Sequence, residues 1–235
     1  MSTKVKGIVI GGTNIKEKDK LVSIFTLENG KIVASMKGVR GDKAKLKFAK
    51  EPFCFGEFII EEGKFNNIIT SVDIIDNFYD LTKDIEKYYE GCAILDIINK
   101  VIVEPNAAVF IELIKALKSL CYDNFKKYYV LDKFLIFLFK EMGYAFVTDK
   151  CASCGATLGN KYFNLEVGEI VCSACKNDAM CVPISNPCYS AIKILLNTDY
   201  EKLATIKLGG AGEVQAYNLL NKNFEWRTGY KLLSF

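Results

Sequence analysis

Histidine is absent from the 235 residues of this chain. Without an imidazole no Cys–His dyad can form, so a cysteine nucleophile lacks its usual activating base. Arginine is nearly absent too: Arg40 and Arg227 are the two among 31 basic residues. Lysine is a point charge suited to phosphate and a poor choice for bidentate reading of base edges. Long apolar runs are missing. The longest, residues 134–139, is bounded by Lys133 and Lys140, far short of the roughly 20 residues that span a bilayer. After Met1-Ser2-Thr3-Lys4 the chain opens into a strand-like pattern without the h-region of a signal peptide. No Walker A sequence occurs. Gly11-Gly12 is not a dinucleotide fingerprint, because no G-x-G-x-x-G follows and no helix opens there. Internal repeats and low-complexity tracts are lacking as well.

What is present begins with cysteine. Nine cysteines in a long chain, an odd number, argue against a secreted disulfide scaffold and for a reducing, cytoplasmic setting. Four of them form Cys151-Ala-Ser-Cys154 and Cys172-Ser-Ala-Cys175, with 17 residues between the pairs. That spacing fits C-x2-C-x15–20-C-x2-C, a structural zinc site. Two CxxC turns complete a tetrahedron of sulfur and leave no open position for water or substrate. We expect one structural zinc ion per chain on Cys151, Cys154, Cys172 and Cys175, and no enzyme. Two alternatives are weaker. A thioredoxin-like redox pair belongs near a βαβ pattern, which is missing around Cys151 and Cys172. A nucleobase deaminase needs an open metal position and an acidic residue next to P-C-x-x-C. Cys54, Cys92, Cys121, Cys181 and Cys188 read as buried structural thiols.

Charge is unevenly spread. Residues 1–50 carry 12 Lys/Arg and 4 Asp/Glu, whereas residues 51–100 carry 4 and 11. A basic opening segment suggests a polyanion partner, the alternative being a solvated lysine-rich surface. Lys37, Arg40, Lys43, Lys45, Lys47 and Lys50 crowd into 14 residues, broken by Gly38 and Gly41. Single-strand binders combine such a cationic groove with aromatics that stack bases. Phe48 is the nearest stacking candidate and equally a core candidate. Lys150, Lys161 and Lys176 beside the cysteines are too few to make a patch.

Periodicity divides the chain. Strands read at 4–11, 19–27, 32–36, 52–61 and 67–75, with an Asn29-Gly30 hairpin signal in which both residues take positive φ. Phe53, Phe55 and Phe58 are core candidates. Five short strands in about 75 residues suggest a small all-β barrel. Helical spacing follows at 82–103, 107–121 and 126–142, the last apolar almost all round, as in the buried centre of a helical domain. Asp73, Asp76, Asp80 and Asp84 read as charges at a helix start rather than metal ligands. Residues 162–171 read as a hairpin turning at 167–168. Ser185-Asn186-Pro187 reads as a helix start, followed by helices at 187–197, 199–206 and 213–225.

Several segments carry a family likeness: Lys6-Gly7-Ile8-Val9-Ile10, Glu17-Lys18-Asp19-Lys20-Leu21, Phe25-Thr26 through Gly30-Lys31, Lys37-Gly38-Val39-Arg40, Pro52-Phe53 with Gly56-Glu57-Phe58, and the ending Thr228-Gly229-Tyr230-Lys231-Leu232-Leu233-Ser234-Phe235. In this order, together with the CxxC pairs, they resemble the RecO family of bacterial recombination mediators. The resemblance implies an OB-fold barrel and binding to single- and double-stranded DNA. It also implies annealing of complementary strands and help in loading the RecA filament, with RecR and single-strand-binding protein as partners. The localisation implied is bacterial cytoplasm, at the nucleoid, with no membrane or small-molecule substrate.

The expected architecture is therefore α+β and multidomain. An OB-fold-like five-stranded barrel at 1–80 binds DNA. A helical domain occupies 81–150 and 176–235, and a zinc ribbon is inserted at 151–175. The rival reading is a zinc-ribbon protein–protein adaptor without annealing activity.

Overall fold

The computed structural model describes residues 2–41, 44–64, 66–124, 128–144 and 149–232. Lys43 and the end of the C-terminal motif at 233–235 lie outside the described residues, as do 126–127 at the start of the third expected helix. The contacts separate two compact units, Met1–Cys121 and Tyr122–Phe235.

The first unit is built on five strands: β1 (Ser2–Ile15), β2 (Asp19–Thr26), β3 (Gly30–Met36), β4 (Phe55–Glu61) and β5 (Asn67–Asp76). They close into a barrel in the order β1-β2-β3-β5-β4. β3 and β5 run parallel, through Ala34↔Asn67 and Ser35↔Ile68, and the other neighbours antiparallel. Residues two apart on a strand share a face. Val22 with Ile24, Ala34 with Met36, and Phe58 with Ile60 accordingly fill the interior together with Val5 and Val9. Each such side chain contributes about 1.5–3 kcal/mol by leaving water.

The opposite faces are apolar in places as well, and there the unit's two helices cover them. Phe25 and Phe55 lie 5.7 and 6.2 Å from the Phe110 ring of α2 (Ala107–Tyr122). Phe53 meets Tyr88 of α1 (Ile85–Val101) edge-on at 5.6 Å. The sequence changes period near residue 80, yet this packing groups α1 and α2 with the barrel. Both helices are capped by local chemistry. Asp84 Oδ1 accepts from the N–H groups of Glu86 and Lys87, and Asn106 Oδ1 accepts from that of Val109. The helix-start reading thus holds for Asp84, whereas Asp73 and Asp76 lie within β5.

Two glycine signals take a different form from that expected. The β2–β3 loop is not a two-residue turn with both centres at positive φ. Thr26 pairs with Gly30, so three residues form the loop, and among Asn29 and Gly30 only Gly30 is left-handed, at φ 67°. Thr26 Oγ1 donates to Gly30 O and accepts from Asn29 N, which holds the longer loop closed. Gly11-Gly12 sits at a register shift between Val9 and Gly11, and a Cβ on Gly12 would lie 2.6 Å from Leu21 O. Its glycines admit a bulge and a close neighbouring strand. A Cβ on Gly30 would stand 2.4 Å from Val103 O, two residues past the end of α1. Gly30→Ala is therefore expected to destabilise the first unit by about 2–3 kcal/mol, from φ strain plus that clash. Denaturant unfolding monitored by circular dichroism checks this; a loss under about 0.5 kcal/mol would contradict it.

The second unit contains α3 (Tyr129–Glu141), α4 (Asn186–Asn197), a 3-10 helix at Tyr200–Thr205 and α5 (Gly210–Thr228). Its small sheet is formed by β6 (Lys161–Asn164), β7 (Glu169–Val171) and β8 (Cys181–Ile184), ordered β7-β6-β8. α3 is buried along most of its length, as its apolar run requires. Ser185 caps α4 by accepting from Cys188 N, with Pro187 in the first turn. The expected 162–171 hairpin is β6–β7. β8 was not foreseen, because four residues with a proline give little strand signal; as an edge strand it tolerates Pro183.

Candidate metal centre and nucleic-acid interface

The four expected cysteine ligands converge. The sulfurs of Cys151, Cys154, Cys172 and Cys175 all lie within 4.8 Å of one another, and Cys154 and Cys172 are 3.8 Å apart. Each CxxC is a turn that aims both sulfurs inward. Gly155 N donates to Cys151 O and Cys175 N to Cys172 O. The knuckles are tied across the gap, since Cys172 N donates to Cys151 Sγ at 3.3 Å and Ala152 N to Ile170 O at 3.0 Å. Burial raises the Cys151 thiol, but N–H groups of Cys172, Cys154 and Ser153 aimed at its sulfur outweigh that and draw it down to about 6. The Cys175 thiol is pushed up to about 12, chiefly by its hydrogen bonds with Cys154 and Cys172. Four thiols so crowded favour one thiolate among protonated neighbours. A cation at their centre reverses that preference. The cluster can hold a metal ion.

The ribbon is fastened to the helices of its own unit. Arg227 near the end of α5 donates from Nη2 to Leu165 O at 2.7 Å and from Nη1 to Tyr144 Oη at 3.3 Å, with its guanidinium 4.1 Å from the Tyr144 ring centroid. Gln215 Nε2 donates to Pro183 O of β8. The remaining cysteines divide. Burial pushes the Cys54 thiol up to about 12, and burial with nearby Asp132 does the same at Cys188. Cys121 is buried, while Cys92 and Cys181 are only partly covered.

The basic segment proves to be part of the barrel. Residues 37–41 and 44–54 fold as successive turns, with N–H groups of Gly41, Lys47, Ala49 and Cys54 each bonded three residues back. Val39, Ala49 and Cys54 are buried in the barrel core, and Leu46 packs against them. The connection is a cap over one end of the barrel, with four of its described cations outward. Lys37, Arg40, Lys45 and Lys47 are exposed, and none forms an ion pair with a described residue. Lys50 differs: its amine pairs with Glu51 and its side chain is mostly covered. Burial raises the Glu51 carboxyl, but Lys50 and Lys20 outweigh that and hold it below the ordinary range. Lys50 is therefore engaged within the fold, and it leaves the candidate set as a free cation.

Arg40 also has a structural task. Its Nη1 donates to Lys16 O and Glu17 O, at 3.3 and 3.1 Å, and its N–H to Lys18 O. Gly38 N donates to Asp19 Oδ1. The cap is thereby clipped to the β1–β2 turn, which brings exposed Lys16 and Lys18 beside Lys37 and Arg40. These two lysines are not among the expected candidates. The one signal in the sequence was the charge of the first 50 residues as a whole. Phe48, read as base-stacking or core, is 70% exposed. No helix among the described residues is long and apolar enough to cross a membrane.

Comparison with known proteins agrees with this architecture. Residues 1–78 match the family described as recombination protein O N terminal, and residues 82–234 match recombination protein O C terminal. A DNA repair protein RecO of Acetivibrio thermocellus is 30% identical over 209 residues, covering 87% of this chain and 83% of its own. A DNA repair protein RecO of Thermoanaerobacter sp. (strain X514) is 30% identical over 210 residues, covering 88% and 85%. One from Clostridium novyi is 28% identical over 221 residues, covering 93% and 86%. A five-stranded barrel with a basic cap, a helical region and a convergent four-cysteine cluster thus coincide with two consecutive family matches spanning nearly the whole length, and the chain belongs to the RecO family of DNA repair proteins.

Proposed function

We propose that this protein binds single- and double-stranded DNA through the capped end of its barrel and anneals complementary strands. On this reading it assists RecA loading together with RecR and single-strand-binding protein at the nucleoid. It does so without catalysing a reaction. The observation that carries this is the outward array of Lys37, Arg40, Lys45 and Lys47 on a cap packed onto the barrel core, joined by Lys16 and Lys18 on the β1–β2 turn clipped to it. Cations fixed in this way neutralise phosphates on two strands, lower their mutual repulsion and raise the rate of base pairing. Lysine suits that task, because annealing must not depend on sequence.

The ion we assign to the cysteine cluster is zinc, in a structural role. Four sulfurs about 2.3 Å from a common centre stand about 3.8 Å apart in a regular tetrahedron, which is the Cys154–Cys172 separation of 3.8 Å. Cys151, Cys154, Cys172 and Cys175 would hold it, and a full thiolate shell supplies cross-linking rather than catalysis.

A fluorescence annealing assay tests the reading. Two complementary oligonucleotides, bare or coated with single-strand-binding protein, are mixed with and without this protein. Acceleration under both conditions is expected. DNA binding without acceleration would reduce the reading to a generic DNA protein, and no binding at all would favour the adaptor reading.

A further inference from the structure

We propose that a cleft at the edge of the barrel cap is a stacking site for an unpaired base of single-stranded nucleic acid. The proposal rests on the DNA-binding reading above and assigns it a second contact surface. The cleft has a volume of about 260 Å³, and its lining includes Phe48, Glu51, Phe53, Phe78, Tyr79 and Tyr88. That is somewhat below the range of pockets for drug-sized ligands and suits one flat ring system.

Its construction separates floor from walls. Phe53 and Phe78 are buried, at 4% and 1% exposure, and form the floor. Both hold the left-handed backbone, at φ 72° and 47°, an uncommon and costly state for a bulky side chain that packing must impose. Tyr88 braces Phe53 edge-on. Phe48 and Tyr79 stand at the rim, 70% and 64% exposed. Such exposure is not a failure of burial in this segment, since neighbouring Leu46 and Ala49 turn into the core. Two large rings left in water across one cleft mark a surface for a flat apolar partner.

Charge selects the partner. Lys45 and Lys47 precede Phe48 in sequence by three residues and one, are exposed and form no ion pair with a described residue. The cleft's own carboxylate, Glu51, is already met by Lys20 and Lys50, so it does not repel an approaching phosphate. Rings that accept a base, with unneutralised cations within three residues, are the elements of single-strand binding. A duplex keeps its bases stacked inside and cannot use the cleft.

The test compares wild type, Phe48→Ala, Tyr79→Ala and Phe48→Trp. Ligands are a mixed-sequence single strand, a duplex, and an oligomer of abasic sites of equal length. Both rings are largely exposed, so their truncation leaves the core in place. Each alanine variant is expected to lose at least about fivefold in affinity for the single strand. The difference should vanish on the abasic oligomer, and Phe48→Trp should restore binding. A single strand carrying 5-iodouracil should crosslink at Phe48 or Tyr79. If wild type binds the single strand and both alanine variants bind it equally well without crosslinks there, the cleft belongs to another occupant, such as an apolar peptide side chain. If wild type binds none of the three ligands, the DNA-binding reading itself has failed and the cleft proposal with it.

Discussion

Stripping the metal from the cysteine cluster, or replacing Cys172 by serine, is expected to unfold the ribbon around residues 150–184 while the barrel stays folded. The separation follows from where the contacts lie. All four sulfurs belong to the second unit, and the barrel closes on its own strands. Apparent binding energies at such sites are roughly 10–16 kcal/mol. Three short strands, β6, β7 and β8, have little core of their own to replace that. Serine removes a thiolate and with it the closed shell. Elemental analysis should give one zinc per wild-type chain and none after Cys172→Ser. Limited proteolysis should then cut between Cys151 and Cys181 in the variant and in chelated wild type alike. Acid should act in the same direction as chelation. Every ligand must shed a proton to bind, and the Cys175 thiol, pushed up to about 12, gives its proton up least readily before metal arrives. Affinity should therefore rise with pH and fall steeply below neutrality. Wild-type protein that carries no metal as purified, or a ribbon equally protected from protease without metal, would overturn the assignment.

Reversing the charge of the cap, through Lys37→Glu, Lys45→Glu and Lys47→Glu together, is expected to weaken DNA binding on the order of a hundredfold at low salt, whatever the sequence. These three amines are exposed and free of described carboxylate partners. The backbone beneath them is held by Val39, Leu46 and Ala49, so the substitutions alter charge without unpacking the barrel. With Arg40 they can engage about four phosphates on a single strand, which sets a slope of log K against log salt near −3. The triple variant should flatten that slope to about −1 or less. Reversing Lys50 is the internal control. Its amine is tied to Glu51 within the fold, so Lys50→Glu is expected to show chiefly as lost stability, read as a lower melting temperature. An unchanged affinity and slope in the triple variant would mean that the cap is merely solvated and that DNA lies elsewhere.

The physical reach of each signal explains how far the sequence could be read. The five strands and five main helices were legible because apolar spacing depends on backbone geometry within a few residues. The strand ends were less so. β1 runs to Ile15 and β4 begins at Phe55, because a bulge extends the first and the cap consumes the start of the second. The four-cysteine cluster was legible residue by residue, since CxxC is a local turn and two such turns have few ways to be satisfied. The sequence of the cap shows only a basic stretch, because lysines dominate its composition. Val39, Leu46 and Ala49 show no period by which to recognise them as core.

The two arginines illustrate the other limit. In a chain that otherwise relies on lysine, Arg40 and Arg227 each direct a rigid fork of donors at carbonyl oxygens of another segment. Their partners lie 23–24 and 62 residues away in the chain, beyond anything that spacing can indicate. By itself the order of residues determined the barrel, the helices, the four-cysteine cluster and a basic surface near the start, because these arise from short-range periodicity, local turns and net charge. The tertiary structure alone decided which cations remain free and that α1 and α2 cover the barrel. It also decided that β8 completes the ribbon and that Phe48 and Tyr79 line one cleft. Each of these is a pairing between distant segments, and only packing decides which side chain finds a partner and which is left facing water.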